Sequence, residues 1–482
     1  MKYPELTDDL KQGFSFRTLK YFGAGAIVAS VTIGSGETLF ASRGGAVFGY
    51  SLLWCFFFGA LMKGVQVYSG ARHMALTGEH PVTHWGAIPG PKNWVPLTIG
   101  VLSMLCFPFW MAGIPMTLGT LLNWVFGVQG SPEELLFYAR LWGTANIVLI
   151  VALTLVHSYG FLEKVQTCFI GIMLSCMVVA VLASKPDWLA ALAGTFIPTM
   201  PGDYEPWIRE RYPEIVVRPP WVEIVTYLGA IGGGTYDYIG YLSCFREKAW
   251  GALALKKDRF KVTPVRRAKQ LEVDDSPENL QRAKRWLIPV QVDTGIGFLS
   301  VLVFTACFVI LGAVILRSQQ QIPSGNELLS FQAQFLTNLH PSLLYVYQIG
   351  VFFAIWGTAY AAYEIYIRTA YECLAPMSQK VRTAPYQKFR LWLLVYCGGL
   401  GLVLLWTMKD PVSIVTPAAI VGGVFTCGLW CFAMMWTDRH FLPKALQMGR
   451  TLFVLLTISG ICLTGMGAKA LWDLAFSVGA GH

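Results

Sequence analysis

Long apolar runs separated by short polar connections recur from about residue 22 to about residue 475. A helix needs about 20 mostly apolar residues to cross roughly 30 Å of hydrocarbon. On that measure the pattern predicts about eleven spans, at residues 22–42, 48–72, 95–126, 138–157, 161–183, 221–243, 287–315, 342–372, 389–408, 411–436 and 450–475. The expected fold is all-α, a polytopic membrane bundle with no room for a separate soluble domain. Two runs break the rule. The first span contains IGSGETLF, which puts Glu37 after Gly34, Ser35 and Gly36; the sixth contains IGGGTYD, which puts Asp237 after Gly232, Gly233 and Gly234.

Glycine lets a helix unwind, and unwound carbonyls inside a bilayer are tolerated only where they line a cavity or bind something. A carboxylate there costs about 2.5–3.5 kcal/mol on insertion scales and marks a functional position. A break followed by an acid, at corresponding places in two spans, therefore points to a cation site at the midplane of a transporter.

Composition sharpens this picture. The 482 residues are 55% hydrophobic and only 13% charged, and the net charge of +9 falls in the connections between spans. Topology explains that charge better than nucleic acid does, because short cytoplasmic connections are enriched in Lys and Arg. Lys2 to Lys20, Arg72, Lys92, the loop FREKAWGALALKKDRFKVTPVRRAK, Lys380 to Arg390 and Arg439 to Arg450 fall on one predicted side. GVQGSPEELL, QQQIPSGNELL and the longer, mixed 184–220 segment fall on the other. The first residues carry no signal-peptide pattern, so the amino terminus is expected in the cytoplasm and the carboxyl terminus outside, with the plasma (inner) membrane as host. The 11 cysteines include no C-x-x-C pair; Cys168, Cys176, Cys307 and Cys462 read as small buried hydrophobes, and Cys427 and Cys431 as packing rather than a soft-metal pair. No Walker motif, nucleophile elbow or metalloprotease helix is present, so nothing supports an enzyme, and no cofactor is expected.

TIGSGETLFASRGGAVFGYSLLW resembles the first span and following turn of the NRAMP family of divalent-metal transporters, whose hallmark there is Asp-Pro-Gly-Asn. LMKGVQVYSGARHMALTG resembles the family's second span, FLEKVQ the start of its fifth, and the sixth span its Met-Pro-His region. The resemblance implies a LeuT-like bundle of two inverted five-helix repeats with discontinuous first and sixth helices. The implied division is a cytoplasmic segment 1–21, a first repeat 22–183, an external loop 184–220, a second repeat 221–436 containing a cytoplasmic basic loop 244–285, and an eleventh helix and terminus 437–482. It also implies a ligand set for a transported divalent cation. The family's Asp and Asn align with Gly34 and Glu37, its Met and His with Thr235 and Asp237, and two metal-binding carbonyls with Val31 and Gly232.

These replacements change the chemistry. A thioether favours softer metals, whereas carboxylate, hydroxyl and carbonyl oxygens suit Mg²⁺, Ca²⁺ or Mn²⁺, and a wide oxygen-lined site suits Mg²⁺, which keeps several waters. The expected activity is alternating-access transport of Mg²⁺ or Mn²⁺, by a monomer with the ion and the lipid bilayer as its partners. The alternative is a LeuT-like carrier of a small organic amine, with Tyr236, Tyr238 or Trp356 packing on it; a sensor or scaffold lacks any appended domain. The family's third-span acids are replaced by Met111 and Ile114, and its tenth-span glutamine is not evident in SIVTPAAIVGGVF, so proton coupling does not carry over and passive uptake stands as an alternative. Lys63, Asp293 and Tyr236 are coupling or gating candidates. Lys63 lies mid-span, either as a partner for an acid or with its ammonium where a bound cation would be. Asp293 is placed in a cytoplasmic vestibule. Glu37 has a structural alternative, a salt bridge to Arg43; Glu364 and Arg368 read as an ordinary intrahelical pair, and His80 and His84 as incidental.

Overall fold

The computed structural model describes residues 1–156, 159–258, 260–265, 269–323 and 327–479. Arg259, Arg266 and Arg267 of the predicted basic loop, and the side chains of FLEKVQ, lie outside what is described. Helices account for the spans throughout. The second to fifth are Leu53–Thr77, Trp94–Val125, Pro132–Val156 and Tyr159–Ala183. The seventh to ninth are Leu287–Leu311, Leu343–Leu374 and Tyr386–Thr407, and the eleventh is Arg450–Gly479. By length and hydropathy alone eight helical stretches among the described residues qualify as spans, one of them running through both the first and the second. The sixth misses that criterion because its break leaves two short halves, Pro220–Ala230 and Thr235–Lys248. The chain is an integral membrane protein.

The sixth span breaks where its glycines predict. Gly232 (φ +70°) and Gly233 (φ +81°) adopt left-handed backbone that L side chains resist. The first span behaves differently. Ala24–Thr32 and Ser42–Phe48 are α-helical, but Ile33–Ala41, the whole IGSGETLFA stretch, is π-helical. The interruption is thus a wide turn, not a loop. Backbone carbonyls flanking and within this segment are held by other helices: Thr358 donates to Ser30 O (2.6 Å), and Gln332, on the helix Leu328–Thr337, donates to Thr38 O (2.6 Å) and also to the Ser42 hydroxyl (2.8 Å). The tenth span carries a similar π segment, Val421–Phe425, at its own glycine pair.

The first span packs between the seventh and eighth, and its π segment touches the Pro220–Ala230 half of the sixth. Second and seventh spans, third and eighth, and the tenth complete the wall around this pair. The basic connections gather on one face. Met1 bonds Glu272 O, Tyr3 bonds Leu76 O, and Arg72 pairs with Asp438 (2.7 Å) and reaches Leu446 O. On the opposite face the 184–220 segment, expected as a loop, folds into the helices Trp188–Phe196, Pro206–Arg211 and Pro213–Val216. Among its described residues the basic connection forms the helix Pro277–Arg285. Cys168 and Cys462, predicted as buried, instead lie on the exposed surface of the bundle; the apolar surroundings that suggested burial are the lipid-facing side of their helices.

Candidate functional site

The two irregular stretches meet. Gly36 lies against the end of the sixth span's Pro220–Ala230 half, so close that a β-carbon there would fall 2.3 Å from Ala230 O. The next residue, Glu37, is fully buried. Its Oε1 accepts from Thr305 of the seventh span (3.3 Å), its carboxylate lies beside the backbone amide of Gly232, and its Oε2 has no hydrogen-bond partner among the described residues. Asp237 opens the Thr235–Lys248 half of the sixth span as a cap: Oδ2 accepts from Gly234 N (2.8 Å) while Oδ1 has no partner among the described residues. Two buried carboxylates, each with one oxygen unsatisfied, thus flank the break.

Lys63 reaches the same point from the second span. Its ammonium donates to Gly229 O (2.9 Å), Ile231 O (2.6 Å) and Gly233 O (2.8 Å). Glu37, Asp237, Cys55 and Cys427 are its electrostatic neighbours. Tyr238 supplies the other donor, to Gly232 O (2.7 Å) and Gly233 O (3.2 Å).

The remaining expected ligands are distributed less simply. Gly232 O, expected to face an ion, accepts from Tyr238, since a buried carbonyl is satisfied by whatever donor is nearest. Thr235 turns to the tenth span, accepting from Thr426 (2.9 Å) and donating to Cys427 Sγ (3.5 Å). Gly34 faces the eighth span, where a β-carbon would fall 2.4 Å from Ala354 O, so an acid at that position has no room. Val31 is buried in the turn before the π segment. Among the described residues no three His, Cys, Asp or Glu converge as a metal cluster.

Several expectations are corrected. Arg43 does not pair with Glu37: it binds Glu223 (2.9 Å) and Tyr227 (3.3 Å), because the helical turn places it on the side facing the sixth span. Asp293 is not in an open vestibule. It is fully buried and ties the start of the first span, accepting from Gly23 N (2.8 Å), Gly25 N (2.9 Å) and Tyr241 (2.7 Å). His84 joins His73 (2.8 Å) to Glu79 (2.9 Å), while His80 contacts Ile239 O (3.1 Å). Tyr236 is buried between the rings of Trp110 and Tyr366, and Trp356 stacks on Tyr360. Glu364 and Arg368 pair as predicted (3.3 Å), joined by Arg390. Thr305 and Gln332 escaped the sequence reading, and Tyr238 entered it only as a ring packing on an amine; a polar residue in an otherwise apolar helix face was the available signal.

Several solved structures share the shape of this chain. A manganese transporter of Eremococcus coleocola, in complex with an aromatic bis-isothiourea compound, superposes with a TM-score of 0.66 at 14% identity, covering 99% of this chain and 93% of that one. A nucleobase-cation-symport-1 family transporter with bromovinylhydantoin bound gives 0.51 at 12% identity, covering 94% and 92%. MhsT in complex with L-phenylalanine gives 0.51 at 12%, covering 93% and 98%. At these identities the likeness establishes the fold. No curated protein sequence matches the chain. The model of the natural resistance-associated macrophage protein-like family matches residues 25–473, both irregular spans and the lysine between them included, and the chain belongs to that Nramp family.

Proposed function

We propose that this protein is a secondary transporter of a divalent metal cation, Mg²⁺ or Mn²⁺ in preference to softer transition metals. It works as a monomer by alternating access in the plasma membrane, with its amino terminus in the cytoplasm. Family membership and the manganese transporter among its structural neighbours support the substrate class. The observation that carries the reading is the pair of buried carboxylate oxygens without partners, Glu37 Oε2 and Asp237 Oδ1, at the crossing of the two irregular spans. A buried acceptor left unmade costs about 1–3 kcal/mol, more when charged, and a cation is the ligand that removes this penalty. Both oxygens are hard donors, which favours Mg²⁺ or Mn²⁺.

Glu37 is the main charged ligand in this reading and Asp237 the second. Thr235 and the carbonyls of Val31 and Gly232 complete the set after local rearrangement. The site is closed to both sides, with Glu37, Lys63 and Thr235 all fully buried. Opening it requires the first and sixth spans to move against their neighbours. Arg43 with Glu223 ties the outer halves of those spans, and Asp293 with Gly23, Gly25 and Tyr241 ties their inner ends; releasing one tie at a time is the simplest route to alternating access.

A small organic amine is the second reading, favoured by one observation: the carbonyls of the break already accept an ammonium, that of Lys63. Calorimetric titration of the wild type and Glu37→Gln with Mg²⁺, Mn²⁺ and methylammonium separates the two. Saturable Mg²⁺ or Mn²⁺ binding that Glu37→Gln removes supports the metal carrier; binding of the amine alone refutes it.

A further inference from the structure

A break in a membrane helix exposes carbonyl oxygens, and something must satisfy them. Here a lysine does so, and its choice is informative. An ammonium has three donors and no acceptor, and all three contacts of Lys63 go to carbonyls at or beside the break, at 2.6–2.9 Å. A neutral hydroxyl would satisfy one or two of them, as Tyr238 does. Converging carbonyl oxygens with carboxylates behind them are the surroundings of a bound cation. The groups facing the ammonium are Glu37 from the first span, Asp237 from the sixth, Cys55 from its own helix and Cys427 from the tenth.

Charge balance explains what the lysine does there. With Glu37 and Asp237 ionised, Lys63 leaves the site one negative charge, and a divalent ion added beside the ammonium would leave it one positive. In a dry interior that excess is repulsive. A divalent ion that replaces the ammonium leaves none.

We propose that Lys63 is the resident cation of this site. Its ammonium occupies the carbonyl cradle of the sixth span while no ion is bound, and the transported cation enters by exchange with it. The proposal rests on the cation-site reading above. It gives the ion-free carrier filled break carbonyls and a countercharge beside Glu37 and Asp237, so the empty protein can close and reorient with one net negative charge at the site instead of two.

Chemical rescue tests it. Lys63→Ala removes the three stem carbons and the nitrogen that n-propylammonium contains. The purified Lys63→Ala protein should unfold at a lower temperature than wild type, and n-propylammonium should recover at least about half of the loss, a gain that follows from ligand binding to the folded state. Matched n-propanol should recover none of it, and wild type should respond to neither. Lys63→Met, which keeps the stem and leaves no room, should also unfold early and gain nothing from the amine. In the same preparations Mn²⁺ should bind Lys63→Met at least about tenfold more tightly than wild type. The idea is overturned if amine and alcohol rescue alike, if Lys63→Ala is as stable as wild type, or if it fails to accumulate with the amine present throughout. Rescue of Lys63→Met by the amine overturns it too, as does Mn²⁺ binding that is equal or weaker in Lys63→Met when wild type binds the ion. The amine readout contains no metal: absence of Mn²⁺ binding from every protein refutes the metal reading and leaves the rescue to decide the role of Lys63.

Discussion

Adding one methyl group at Gly36 strikes the crossing on which the whole site depends. The new β-carbon would lie 2.3 Å from Ala230 O and 2.9 Å from the Ala230 carbonyl carbon. Ordinary C···O contacts begin at about 3.3 Å, so the first and sixth spans must separate by about 1 Å. The obstacle is backbone on both sides and cannot rotate away. Overpacking of this kind costs about 1–3 kcal/mol, and because Glu37 follows directly, the strain falls on the site; a displacement of about 1 Å at a reacting geometry costs on the order of a hundredfold in rate. Gly36→Ala should therefore unfold at lower temperature than wild type, followed by tryptophan fluorescence, and its initial transport rate in proteoliposomes should fall by about that factor. Gly399→Ala is the control: nothing lies within 4 Å of its β-carbon position, and helix propensity predicts no loss and a gain of up to about 1 kcal/mol. A Gly36→Ala protein that unfolds with wild type and transports within about twofold of it would refute the close crossing.

Arg43→Met or Glu223→Gln alone strands a buried charge and should cost about 3–5 kcal/mol, while the double variant should recover most of it; a thermal-unfolding double-mutant cycle with no coupling would contradict the tie between the first and sixth spans. Asp293→Ala leaves the Gly23 and Gly25 amides and the Tyr241 hydroxyl without their acceptor, so hydrogen exchange should accelerate at the start of the first span and leave the ninth unchanged. Burial pushes the Glu79 carboxyl up, but its His84 hydrogen bond and the Lys256 ammonium outweigh this and hold it at about 2. Since a depressed carboxyl stabilises above its unfolded value of about 4.3, stability should fall as pH drops from about 4 to about 2, and Glu79→Gln should flatten that limb of the melting-temperature profile.

The bundle was legible because a bilayer demands long apolar runs, and the sixth-span break because three glycines leave little else. Glu37 and Asp237 stood out for the same reason, as acids with no business in hydrocarbon. What stayed hidden depended on partners far away in sequence. The π winding of Ile33–Ala41 leaves no mark in composition, since it is stabilised by Thr358 and Gln332. Arg43 lies six residues from Glu37 in sequence but 180 from Glu223, the acid it actually pairs with. The same distance problem kept the capping role of Asp293 out of view. Lys63 was visible as an oddity; its three carbonyl partners required the fold.

The central claim is that Glu37 anchors a transported divalent cation between the first and sixth spans. It is tested most directly by Mn²⁺ uptake into proteoliposomes under an inside-negative potential, comparing wild type with Glu37→Gln. The account predicts saturable uptake by the wild type that Mg²⁺ competes away and that Glu37→Gln abolishes while remaining folded. Uptake that Glu37→Gln leaves intact, or no uptake by wild type, would contradict it.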